Sequence, residues 1–285
     1  MIEWRYGDQL DWRLVVVGLS EDTSRYAEHG YTPLRMATGH LRFRERYGMP
    51  FAGSPKSGLS ASTRACRAIV AARRQSPGSE WRVFRALQLA NFNTPLLFDD
   101  AEAMHAVLST VPGIDPDEVL GAIDSPEVLA EYERDKAETR TASGSATELQ
   151  GKAGNSDGKV RYTAPSVVFE AGDRRLEAGG FQPVEAYDVL VCNLDPTLER
   201  KAPPETPAPL LEYFDGGLTT QEVAALMTSG NDAPDRRAAE AALIELVGAG
   251  DAVRQPLGDD ALWLAADSPA VEGAGRLHAA VAAAR

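Results

Sequence analysis

Cysteine and histidine come first, since they supply most nucleophilic and metal-bound chemistry. Cys66 and Cys192 stand 126 residues apart and form neither a disulfide framework nor a metal cluster. Each falls within a predicted helix and reads as a buried structural cysteine. His29, His40, His105 and His278 are scattered without ligand spacing, so no metal site is expected. Residues 144–152 end in Gly-Lys, but the glycine spacing is wrong for a phosphate loop, and Ala153 stands where Ser or Thr would hold Mg²⁺. Neither a G-x-S-x-G elbow nor a G-x-G-x-x-G turn occurs. The acidic pairs Asp99-Asp100 and Asp259-Asp260 fall where a helix cap and a turn are expected. The informative stretch is Arg161-Tyr162-Thr163-Ala164-Pro165, which leads into the apolar run Ser166-Val167-Val168-Phe169. A proline there must open a strand, sit on an edge or follow a cis bond. Trans is the ordinary form of an X-Pro bond.

The elements that would position this stretch follow from periodicity and turn chemistry. Residues 10–19, centred on the β-rich run 14–17 and ending at Gly18, read as a buried strand. A helix is predicted over 33–47. Helices then fill about 60–140, carried by Ala65, Cys66, Ile69 and Val70, by Trp81, Phe84, Leu87 and Phe92, and by start signals at Asp99 or Asp100, Asp115-Pro116 and Ser125-Pro126. Residues 141–159 turn to Ser, Gly, Thr, Ala and Asn and read as a mobile loop. A strand through residue 170, a Gly172-Asp173 turn and a second strand at 174–180 make a hairpin. A helix opening at Pro183 follows, with the stripe Val184, Tyr187, Val191 and Leu194. Residues 195–209 contain five prolines and read as a semi-rigid linker. Beyond it, a capping box at residues 219–222 opens a helix to Met227, a second helix spans 235–247, and a hairpin turns at Gly258-Asp259. Helix, helix and two-stranded wing is the order of a winged helix. An Ala-rich tail, 268–285, closes the chain.

Charge narrows the partners. In 285 residues, 29 basic side chains face 42 acidic ones, a formal net charge of −13. Such a surface repels phosphate backbones and anionic lipids. Over 205–267, Arg236, Arg237 and Arg254 stand against twelve acids, the wrong balance for a DNA-contacting wing. No apolar run approaches the ~20 residues that span a bilayer. The first residues show no signal-peptide pattern, and the cysteine usage suits a reducing compartment, so a cytoplasmic location is expected.

The order proline, strand, Gly-Asp turn, strand, Gly179-Gly180 and helix resembles the second half of a thioredoxin fold, in which a cis-proline opens the strand. More specifically, residues 164–191 resemble the C-terminal part of DsbA-family proteins, the stretch 122–128 (Ala-Ile-Asp-Ser-Pro-Glu-Val) resembles their helical insertion, and residues 11–22 resemble the strand after their active-site helix. The resemblance extends to 2-hydroxychromene-2-carboxylate isomerases and kappa-class glutathione transferases and covers about residues 1–195. It implies an α/β fold, a thioredoxin-like sheet with a helical insertion at about 60–140, to which composition and element order add the Pro-rich linker at 196–209 and the winged-helix-like module at 210–267. It implies thiol–disulfide oxidoreductase or thiol-dependent isomerase chemistry, with a low-molecular-weight thiol as the cofactor. The family places a first strand and a C-x-x-C motif ahead of the stretch that matches residues 1–7, so no catalytic residue is assigned and little disulfide exchange is expected. What the resemblance leaves is a substrate surface: Thr163, Ala164 and Pro165 pairing with an extended peptide or thiol substrate, flanked by Arg161 and Tyr162. The alternative is a non-catalytic protein-binding module that uses this cis-proline groove or the acidic winged helix. A homo-oligomer is expected as a further partner state; nucleic acid and membrane are not.

Overall fold

A computed structural model describes residues 1–230 and 232–283, and within the last helix the side chain of His278 lies outside the described residues, as do 284 and 285 of the expected tail. The chain runs through α1 (Ile2–Tyr6), α2 (Ser24–Glu28), α3 (Pro33–Tyr47), α4 (Thr63–Gln75), α5 (Ser79–Asn93), α6 (Ala101–Leu108), α7 (Pro116–Ala122), α8 (Pro126–Thr139) and α9 (Ala146–Leu149). It continues through β1 (Gly154–Asn155), β2 (Val160–Arg161), β3 (Ser166–Ala171), β4 (Arg174–Gly179), α10 (Val184–Leu194), α11 (Ala208–Tyr213) and β5 (Leu218–Thr219). Last come α12 (Thr220–Met227), α13 (Arg236–Ala249), β6 (Ala252–Leu257), β7 (Asp260–Ala265) and α14 (Ala270–Ala283). The fold is mixed α/β, mostly helical, with small sheets ordered β1-β2, β3-β4 and β5-β7-β6. It divides into two compact units, each made of two stretches: Met1–Leu19 with Ala130–Ala202, and Ser20–Leu129 with the chain from Pro203 onward.

The first unit is built on the β3-β4 hairpin. Gly172 turns it at φ +61°, a left-handed value that suits glycine. The strands pair antiparallel from Ser166 opposite Gly179 to Ala171 opposite Arg174. Alternation turns Phe169 inward and leaves Val168 and Glu170 exposed. Phe169 meets Val191 of α10 and Ile2 and Tyr6 of α1, with Val184, Tyr187 and Leu194 packed alongside. The predicted stripe of α10 is therefore the face it buries. At the far end of β4, a Cβ on Gly179 would lie 2.3 Å from Thr147 Cγ2, so only glycine lets α9 approach there.

Two expectations in this unit are corrected. Residues 10–19 form no strand; among the described residues the run joins no ladder. Its backbone is satisfied by side chains instead. Val16 N–H donates to Asp135 Oδ2 at 3.1 Å, and Arg140 donates to the carbonyls of Val17 at 2.5 Å and Gly18 at 3.1 Å. The stretch 141–159 reads as a loop but carries α9 and β1, and β1 pairs with β2 just beyond it. Ser145 caps α9 through Glu148 N–H, and Glu177 of β4 accepts from both the backbone and the hydroxyl of Thr147.

In the second unit, α4 to α7 bury Ala68, Val70, Val83, Met104, Val107, Leu108 and Val119. Their starts follow the cap chemistry: Asp100 accepts from Glu102 N–H, and Asp115 accepts from Asp117 and Glu118 N–H ahead of Pro116. Of the residues that mark α5 in the sequence, Leu87 is buried together with Val83 and Ala90, and Trp81 is exposed. In the C-terminal part, Thr219 and Glu222 form a reciprocal capping box that opens α12, and Asp235 caps α13. The predicted hairpin is β6-β7, and β5 adds a third strand by pairing Leu218 with Trp263. Leu89 of α5 shares a core with Leu257, Leu262 and Leu264, covered by Ala270, Val271 and Ala274 of α14. The helices of 63–122 and the C-terminal sheet thus belong to one packed unit.

Candidate functional site

The segment from Arg161 to Pro165 leaves β2 and enters β3, and the Ala164–Pro165 bond is cis. Its side chains divide into two groups. Tyr162 is buried, and its hydroxyl donates to Glu177 Oε1 at 2.6 Å while accepting from Arg175 Nη2 at 3.2 Å. Burial and the hydrogen bond to Glu177 raise the tyrosine's pKa. Burial pushes Glu177 upward, but hydrogen bonds from Tyr162 and Thr147 outweigh it and hold the carboxyl below its usual range. Arg161 folds back over Gly154 and donates to Ser156 Oγ at 2.7 Å and to the Tyr162 carbonyl at 3.0 Å. Thr163 Oγ1 donates to the Lys152 carbonyl at 2.9 Å. Three of the five expected site residues therefore spend their side chains holding the segment in shape. Ala164 and Pro165 stand exposed.

What this leaves at the surface is backbone beside small side chains, in line with a strand edge. Among the described residues β3 pairs only with β4, so its other edge belongs to no ladder. An unpaired edge presents alternating N–H and C=O groups, the geometry that an added extended strand requires. Arg13 lies on the same unit within electrostatic reach of Glu170 on β3; its bonds to Glu138, with Asp135 and Glu170 adding attraction, outweigh the effect of burial and hold its guanidinium charged.

The cysteines occupy different settings. Cys66 is half-buried on α4. Cys192, expected as a buried structural cysteine, is also half-buried and has polar neighbours. Its sulfur accepts from Arg200 Nη2 at 2.7 Å and lies 3.3 Å from Tyr6 Oη. Tyr6 donates to Asp188 Oδ1 at 2.6 Å, and Arg5 and Arg200 both pair with the other oxygen of that carboxylate, at 3.4 and 3.3 Å. Burial, then the bond to Asp188, raises the Tyr6 hydroxyl well above its ordinary pKa. The cluster joins residues up to 194 positions apart, so no local spacing announces it. Among the described residues no group of three or more His, Cys, Asp or Glu is arranged to hold a metal, and no helix is long and apolar enough to cross a membrane. Comparison with protein-family models and with curated proteins gave no match for this chain.

Proposed function

We propose that this protein is a DsbA-like, thioredoxin-related binding module that docks an extended polypeptide by its backbone at Thr163, Ala164 and Pro165 and along the free edge of β3. The observation that carries this reading is the one-sided pairing of β3, with exposed Ala164 and Pro165 at its entrance. The order of Pro165, β3, the Gly172 turn, β4 and α10 supports the thioredoxin-like assignment. Substrate chemistry is read as backbone recognition along this edge. A low-molecular-weight thiol remains the cofactor that the resemblance implies, and no residue here is assigned to it. Residues 210–267 are read as a winged-helix-like module that meets protein, given their excess of acid.

The test is hydrogen exchange on the full chain with and without a reduced, carboxymethylated polypeptide, which is extended and has no thiol to exchange. Slowed exchange confined to 163–171, weakened several-fold by Ala164→Arg, is the expected result. Unchanged exchange there overturns the reading. Robust reduction of insulin by this chain overturns its non-catalytic part.

A further inference from the structure

Lys56 is one of five lysines in the sequence, and its surroundings differ from those of an ordinary surface amine. It is half-buried between the coil after α3 and the loop after α5. Its Nζ donates to the Leu96 carbonyl at 2.7 Å and to Asn91 Oδ1 at 3.2 Å. Both acceptors are neutral, and no described carboxylate pairs with it. An ammonium has three donors and a neutral amine has two. The two acceptors therefore satisfy the neutral amine completely and leave its lone pair unoccupied.

The wall beside this amine is aromatic. The Phe98 ring centre lies 5.6 Å from Nζ, a contact that favours the cation modestly. Nearby, His40 of α3 stacks on Phe51 at 5.0 Å and meets the edge of Phe92 at 5.5 Å. His40 is a titratable neighbour: burial, then the charge on Lys56, lowers its pKa. Burial pushes the Lys56 amine down to about 8. A lysine desolvated in an apolar site without a counter-charge is how amine nucleophiles are activated.

We infer that Lys56 is a nucleophilic amine and a covalent modification site for activated acyl donors, thioesters or acyl phosphates. The Nζ lone pair attacks the acyl carbon, the C–S or C–O bond to the leaving group breaks, and a thiolate or phosphate departs. The amine proton passes to water and an amide remains. No redox partner is needed. The product keeps one N–H where the amine had two, so either Leu96 O or Asn91 Oδ1 loses its donor.

The size of the effect follows from ionisation. At pH 7.5 about a quarter of an amine with a pKa near 8 is neutral, against roughly 0.1% for an ordinary lysine. Lower basicity costs intrinsic nucleophilicity, with a slope of about 0.5 per pKa unit if amines follow thiols. The net preference is then about tenfold. The test is competitive labelling of the full chain with limiting acetic anhydride at pH 7.5, read peptide by peptide. Lys56 should label about tenfold faster than exposed Lys159 in the native protein and at an equal rate in urea. Asn91→Asp sets a carboxylate near the amine and should abolish the preference without unfolding the chain, which circular dichroism checks. S-acetyl-N-acetylcysteamine and acetyl phosphate, run in parallel, identify the donor class by which of them acylates Lys56 faster. Native labelling of Lys56 at or below the rate of Lys159, a preference that survives Asn91→Asp, or no acylation by either donor overturns the proposal.

Discussion

Gly18 adopts φ +59°, and a Cβ there would lie 2.5 Å from Tyr132 Oη and 3.2 Å from Lys136 Cδ. Backbone strain at a left-handed position and the collision act in the same direction. Gly18→Ala is expected to destabilise the first unit by about 2–3 kcal/mol, seen as a lower midpoint in urea. A midpoint equal to that of the wild type would show that the run 10–19 moves freely enough to absorb the methyl group. The same scale explains the outcome at Arg161 and Tyr162. Their types suggested contact groups for a substrate, yet each is occupied by its own segment, Arg161 with Ser156 and Tyr162 with Glu177. Arginine and tyrosine serve equally well as surface contacts and as internal braces, and residue type alone does not distinguish the two.

Among the elements, α12 joins local and long-range terms most tightly. Thr219 and Glu222 form its capping box, and Arg85 of α5 reaches Glu222 with two bonds at 2.9 and 2.7 Å. Burial pushes the Glu222 carboxyl upward, but Arg85 and Thr219 outweigh it and hold its pKa below the ordinary value. A carboxyl lowered on folding contributes stability that is complete above its unfolded pKa, roughly 4.3, and is lost as pH falls through the folded value. Glu222→Gln is expected to cost about 2 kcal/mol at pH 7, and the gap from wild type should narrow between about pH 4.5 and pH 2. Urea unfolding at both ends of that range checks it; a pH-independent gap would assign the loss to the cap geometry alone. The capping box was legible because its two partners stand three residues apart, whereas Arg85 lies 137 positions from Glu222. The run 10–19 failed in the opposite way. Its apolar residues promised a strand, but a strand exists only where a neighbour completes its ladder, and here Asp135 and Arg140 take that place.

For the whole molecule, charge is the property with the widest reach. A net charge of −13, with twelve acids against three arginines over 205–267, sets a field around that C-terminal stretch that repels phosphate. The full chain is expected to show no salt-sensitive binding to duplex DNA, in a shift assay run from 50 to 200 mM salt. A specific complex that weakens steeply with salt would overturn that expectation.

Local order determined most of the helices, the caps at Asp100, Asp115 and Thr219, the two hairpins with their glycine turns, and the proline that opens β3. These depend on neighbours within a few residues, and the chain states them directly. Tertiary structure alone decided that Leu89 shares a core with the C-terminal sheet, that Cys192 rests against Arg200 and Tyr6, and that Lys56 lies half-buried with two neutral acceptors. The reason is physical: burial, counter-charge and the completion of a ladder are supplied by groups distant along the chain, and only packing sets which of them arrive.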